Sequence, residues 1–157
     1  MGFPFSLPKL EPCPFCEAID DKTKKGIAEE TDLTVTFVNS RQFSPGQVFV
    51  VPRRHAPTLF DLTDEEVSEV MQAARRVGKA LVAGYDSDGM LLYQNNGVVS
   101  NQEVPHFHLH VVPLKAANKF WGSGPPHVAE VEGLKFRKPE GRVDISVEEE
   151  FRALADC

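Results

Sequence analysis

His106-Phe107-His108-Leu109-His110-Val111-Val112 gathers three of the chain's five histidines into five positions. As extended chain with a side-chain period of two, the segment puts all three imidazoles on one face and Phe107, Leu109 and Val111 on the other. The apolar face can enter a core while the rings line a site. Same-face residues on a strand lie roughly 6.5–7 Å apart, so neighbouring rings can share one phosphate or one metal ion. Three readings compete: ligands of a catalytic metal, a histidine nucleophile with supporting donors, or an exposed strand without chemistry. A catalytic zinc site pairs two or three histidines with a carboxylate, and the nearest acid, Glu103, lies outside the segment. A neutral imidazole is a competent nucleophile near pH 7, its unperturbed pKa being about 6.5. Cys13-Pro14-Phe15-Cys16 is a second motif, of a spacing that serves redox and zinc chemistry alike.

These residues need elements to position them. Leu33-Thr34-Val35-Thr36-Phe37-Val38 alternates and is β-branched, which predicts a strand, and Val48-Phe49-Val50-Val51 predicts a second that Pro52 ends. The Asn, Ser, Pro and Gly of residues 39–46 mark a loop between antiparallel neighbours. Glu17 to Asp32 reads as a polar, charged stretch. Thr63-Asp64-Glu65-Glu66 is a capping-box signature. Val67, Val70, Met71, Ala74, Val77, Leu81 and Val82 then recur at helical spacing as far as Gly84, predicting a long amphipathic helix. Met90-Leu91-Leu92-Tyr93-Gln94 predicts a third strand and the histidine segment a fourth, joined by the polar loop Asn95 to Pro105. Strands on both sides of one helix predict an α+β fold, an antiparallel sheet with one long packed helix. After Pro113 the pattern weakens. Gly133 to Val143 suits a short hairpin and Ser146 to Leu154 begins like a helix. The expectation is a single domain over 1–157, with its core in about 10–115 and an irregular C-terminal extension over 116–157.

Composition narrows the partners. Hydrophobic residues make up 41% and charged residues 25%, the balance of a soluble globular chain. A formal net charge of −6 argues against a long nucleic acid as partner, while leaving room for a small nucleotide at a locally positive site. No apolar run is long enough to span a membrane, so no membrane partner is expected. Three cysteines, an odd count, fit a reducing, cytoplasmic setting better than a disulfide framework. The start Met1-Gly2-Phe3-Pro4-Phe5-Ser6 matches a loose N-myristoylation pattern of low specificity.

The segment from Asn95 to Val112, with Asn95, Gln102, His106, His108 and His110, closely resembles the signature of the histidine triad (HIT) family of nucleotide hydrolases and transferases. The resemblance extends upstream to Asn39 and to Ser44-Pro45-Gly46-Gln47-Val48-Phe49-Val50-Val51-Pro52-Arg53-Arg54-His55. It implies a HIT-like fold and attack by His108 on the α-phosphorus of a dinucleoside polyphosphate or nucleoside phosphoramidate, through a covalent nucleotidyl-histidine. His110 would then bond a phosphate oxygen, as would backbone N–H groups between Asn95 and Asn101. Gln102 and Asn95 would meet phosphate or leaving-group oxygens, and Asn39 the ribose hydroxyls. Zinc-bearing members are similar in Cys13, Cys16, His55 and His106, a Cys₂His₂ set suited to a closed structural zinc site. A homodimer through the long helix and a neighbouring strand is implied as well. Two positions depart from the common pattern: Glu103 stands where a small hydroxyl residue often follows the glutamine, and Gln47 where many members carry another histidine. Trp121 reads either as closing the site or as a buried aromatic or dimer contact. His127 and Cys157 read as incidental. Alternative functions are a slow-turnover nucleotide-binding regulatory module and a metal-dependent hydrolase with the triad as ligands.

Overall fold

The computed structural model describes residues 6–21, 26–42 and 44–116. Five strands form one antiparallel sheet: β1 (Ile27–Glu30), β2 (Thr34–Val38), β3 (Val48–Pro52), β4 (Gly89–Tyr93) and β5 (Leu109–Leu114), in spatial order β1-β2-β3-β5-β4. Two helices accompany it, α1 (Pro14–Asp20) and α2 (Asp64–Gly84).

The capping box forms as the sequence predicts. Thr63 Oγ1 accepts from the Glu66 N–H at 3.2 Å, and Glu66 Oε2 accepts from the Thr63 N–H at 2.9 Å, so two orphan donors of the first turn are satisfied. From there α2 lays Val70, Ala73, Ala74, Val77 and Leu81 on the sheet against Val48, Val50, Leu109 and Val111, with Phe107 in the same cluster. Phe107, Leu109 and Val111 thus enter the core together, as their alternation requires. The opposite sheet face carries a second cluster in which Val35, Phe37 and Val51 meet Phe15, Ala18 and Ile19 of α1. The histidines lie on this second face.

Two elements escape the sequence pattern. β1 lies within the stretch that reads as merely polar, because its acids are held as ion pairs: Glu29 with Arg76 at 2.8 Å and Glu30 with Arg53 at 3.0 Å. α1 has seven residues and begins with Pro14, too short for a periodicity to register. The triad segment is also more finely divided than a single strand. β5 opens at Leu109, so His106 lies in a bend and His108 on the short approach to the strand, with His110 within it.

Not all of the predicted helical stripe is covered. Val67, Met71 and Val82 are 36%, 51% and 37% exposed and Met90 of the edge strand β4 is 40% exposed. Met71, Gly78, Val82 and Met90 line an apolar groove of about 450 Å³ between α2 and β4, rimmed by Arg75 and Lys79. The hairpin and helix expected between Gly133 and Leu154, the extension over 117–157, and Trp121, His127 and Cys157 lie outside the described residues.

Candidate active site and metal centre

His106, His108 and His110 point to the α1 side of the sheet, where three aromatic rings surround them. Phe15 packs on His106 and His108 with ring centroids 5.9 and 5.1 Å away, and Phe49 stands edge-on to His108 at 5.4 Å. His110 is registered against Phe49 on β3 and Tyr93 on β4. Its ring therefore meets the Phe49 edge at 4.7 Å and lies almost parallel to Tyr93 at 3.8 Å and 12°. The sequence reading missed these aromatics as site residues, although the alternation of Gln47 with Phe49 places both on the histidine face.

Hydrogen bonds define the tautomers. A carbonyl only accepts, so the 2.8 Å contact between His108 Nδ1 and the His106 oxygen requires Nδ1–H. In a neutral ring Nε2 then keeps its lone pair. Burial chiefly pushes the His108 pKa down, opposed by the His106 carbonyl and the field of Glu103, so the ring is neutral near pH 7. Burial, and after it the repulsion that a protonated His108 would exert, holds His110 down to about 3. Gln47 Nε2 lies 3.0 Å from His110 Nδ1 and 3.4 Å from the Tyr93 hydroxyl. Tyr93 itself is pushed up to about 12, mainly by burial.

The loop between Tyr93 and His106 is bonded largely to itself. Gly97, at φ 81°, donates its N–H to Gln102 Oε1 at 2.7 Å, and the Gln102 amide nitrogen donates to the Pro57 and Val104 carbonyls at 2.6 and 2.9 Å. The Ser100 and Asn101 N–H groups bond carbonyls within the loop, and the Val98 N–H reaches Ser6 O of the N-terminal arm at 2.9 Å. As the loop stands, then, several of the N–H groups expected to face a phosphate bond the protein instead. Asn96 joins this scaffold, accepting from the Leu59 N–H at 2.9 Å. Asn95 is half-buried beside it. Asn39 is buried, and its Oδ1 accepts from the Arg41 N–H at 2.8 Å. Glu103 is exposed, yet its charge acts on both His108 and Tyr93.

Cys13, Cys16, His55 and His106 come together from three places in the chain, their ligand atoms all within 4.8 Å of one another. Cys13 and Cys16 flank the start of α1. The Phe107 N–H donates to Ala56 O at 2.6 Å, which brings the His55 and His106 rings to 5.1 Å. Cys16 Sγ is 3.3 Å from His55 Nδ1, and both sulfurs are 3.5 Å from His106 Nδ1. A tetrahedral ion with Zn–S and Zn–N bonds of usual length sets sulfur and nitrogen about 3.6 Å apart, so the four donors fit such an ion. His106 is aimed at it by its Nε2–H, which donates to Pro52 O at 2.9 Å, the kind of outer bond that orients a metal-ligating imidazole. Burial lowers His106 to about 4, which keeps Nδ1 free of a proton. Cys16 is pushed up to about 11, chiefly by burial and then by Cys13 beside it. A divalent cation between the sulfurs reverses that preference, because a coordinated thiol is deprotonated.

The HIT domain family matches residues 21–117, well over half of the chain. The chain belongs to that family. Among relatives, it is 33% identical over 138 residues to the bifunctional bis(5'-adenosyl)-triphosphatase/adenylylsulfatase of Arabidopsis thaliana, covering 81% of this chain and 76% of that protein. It is 30% identical over 112 residues to an adenosine 5'-monophosphoramidase of Schizosaccharomyces pombe, covering 71% and 80%. Among solved structures, it is similar to a Zn-bound histidine triad family protein of Mycobacterium smegmatis, with a TM-score of 0.70, 27% identity, and coverage of 92% of this chain and 94% of that one. The α+β sheet-and-helix architecture is that of these HIT relatives.

Proposed function

We propose that this HIT protein is a nucleotide hydrolase or nucleotidyl transferase in which His108 Nε2 attacks the α-phosphorus of a dinucleoside polyphosphate or nucleoside phosphoramidate. The observation that carries this reading is the bond from His108 Nδ1 to the His106 carbonyl, which leaves a lone pair on the opposite nitrogen of a neutral ring. Attack forms an N–P bond as the leaving-group oxygen departs with the electrons of its bond to phosphorus, or as the leaving nitrogen departs as an amine after taking up a proton from solvent. Water then cleaves the N–P bond, releasing the nucleoside monophosphate and restoring His108. His110 donates to a non-bridging phosphate oxygen and stabilises the charge that develops there. Asn39 meets the ribose and Asn95 a phosphate oxygen, while the half-buried Phe15 and Ile27 offer an apolar surface for a base near His108. Gln102 shapes the loop that leads into the triad, and it reaches a leaving-group oxygen only by giving up one of its present bonds. That the named relatives hydrolyse nucleoside phosphate derivatives supports the substrate class.

Cys13, Cys16, His55 and His106 hold a structural zinc ion in this reading. It contributes folding free energy and takes no part in the reaction. The exposed Met71, Val82 and Met90, beside β4 at the edge of the sheet among the described residues, support a homodimer through that face, and a monomer mass at micromolar concentration in light scattering would refute it.

Incubation with adenosine and guanosine polyphosphates and phosphoramidates, with product identification, tests the activity. A quenched reaction on α-labelled substrate should trap nucleotide on the wild-type protein and none on His108→Ala, which should lose turnover while still binding nucleotide. A wild-type rate in His108→Ala would overturn the assignment. Tight binding without turnover in the wild type would favour a nucleotide-binding regulatory module.

A further inference from the structure

We infer that Gln47 and Tyr93 form a clamp that holds His110 as its Nε2–H tautomer, making Gln47 a positioning residue for the phosphate-binding face of the site. The proposal rests on the proposed role of His110 as a phosphate donor and deepens it. A neutral histidine can present either nitrogen as donor, and in water the two tautomers interchange freely. At position 110 that choice is constrained from one side. The Gln47 amide nitrogen, a donor without a lone pair to offer, lies 3.0 Å from Nδ1, so Nδ1 must accept and the ring proton must reside on Nε2. Among the described residues no side chain or backbone group bonds Nε2, which is left to meet a ligand.

Three features keep the arrangement in place. Gln47 is 1% exposed, so water does not compete for its amide. Its backbone is tied at both ends, the N–H to Ser44 O at 3.2 Å and the carbonyl to the Asn39 N–H at 3.0 Å. The imidazole plane is set by the Tyr93 ring stacked on it and the Phe49 edge against it, so the ring cannot turn to exchange its nitrogens without unstacking. The Tyr93 hydroxyl lies 3.4 Å from the same amide nitrogen and accepts its second hydrogen. An amide does not titrate. A histidine at position 47 would gain or lose a proton near neutrality, whereas glutamine offers the same donor at every pH at which the protein is folded.

The test is long-range proton–nitrogen NMR on the full chain with ¹⁵N-labelled histidine, which distinguishes a protonated from a bare ring nitrogen. Wild type should show His110 with Nε2 protonated and Nδ1 bare. Gln47→Met keeps the length and removes the donor, and should give a mixture of tautomers. The Kd for adenosine 5'-monophosphate should then rise about twofold for an equal mixture, in inverse proportion to the fraction left as the Nε2–H form. Tyr93→Phe retains the stacked ring and should keep the tautomer, whereas Tyr93→Leu should broaden the His110 resonances. A protonated Nδ1 on His110 in the wild type would overturn the proposal without recourse to any variant. So would a Gln47→Met protein with the wild-type tautomer and affinity. Because these readouts need no turnover, failure of the hydrolase reading would appear separately, as absence of product from every nucleotide tried.

Discussion

Glu66→Gln should destabilise the protein by about 1.5 kcal/mol, by unpairing the site where the long helix is fastened to the chain that carries His55. The Glu66 side chain is 6% exposed and that of Arg54 51%. The carboxylate accepts from Arg54 Nε at 2.9 Å and from Arg54 Nη2 at 2.6 Å, besides closing the capping box on the Thr63 N–H. Glutamine has one acceptor oxygen, and its NH₂ would face the guanidinium, donor against donor. Hydrogen bonds to a charged group are worth about 1.5–3 kcal/mol, but Arg54 is half in water, which screens the pair and reduces the loss to about 1–2 kcal/mol. For a chain of this size that is roughly 5 °C in Tm. The pH dependence has a definite sign. The Arg54 bonds hold the Glu66 carboxyl below its ordinary 4.5 against the opposing effect of burial, so this contribution is complete above about pH 4.5. It is lost as pH falls through the lower folded value. Urea denaturation of both proteins at fixed zinc and protein concentration, repeated from pH 7 downward, measures the gap. A gap below about 0.5 kcal/mol at pH 7, or one that widens on acidification, would refute the reasoning.

Cys16→Ser should abolish stoichiometric zinc and lower Tm, and a wild-type protein prepared without a histidine tag that is zinc-free by metal analysis yet equally stable would exclude the structural site. Gly46→Ala should cost about 1–3 kcal/mol, because Gly46 sits at φ 85° and a Cβ there would fall 2.5 Å from the Tyr85 ring; denaturation indistinguishable from wild type would mean that turn and ring yield freely. Glu103→Ser should raise kcat/KM for dinucleoside polyphosphates several-fold more than for neutral-amine phosphoramidates, with tenfold corresponding to about 1.4 kcal/mol. The difference should shrink at high salt, and an unchanged ratio would remove Glu103 from leaving-group selection.

What repeats locally is legible in the residues themselves. Alternation at 106–112 assigned the rings to one face and Phe107, Leu109 and Val111 to the core, and Thr63 with Glu66 marked the start of the long helix. These readings succeed because side-chain direction follows backbone period, which is a property of a few consecutive residues. The Cys13, Cys16, His55 and His106 grouping was legible only through family resemblance, and the backbone bond from Phe107 to Ala56 is what brings His106 to His55. Tertiary structure alone decided the rest. That Phe49 and Tyr93 enclose His110 depends on the register of β3 and β4 against β5, and a period says which face a residue occupies without saying which residue stands beside it. The Gln102 amide turns inward because Gly97, Pro57 and Val104 converge on it. Val67, Met71 and Val82 belong to the same apolar stripe as Val70 and Val77 but remain exposed, since the sheet is only wide enough to cover part of it. Gln47 reads in the sequence as the loss of a histidine; only its 3.0 Å approach to His110 shows it as a donor.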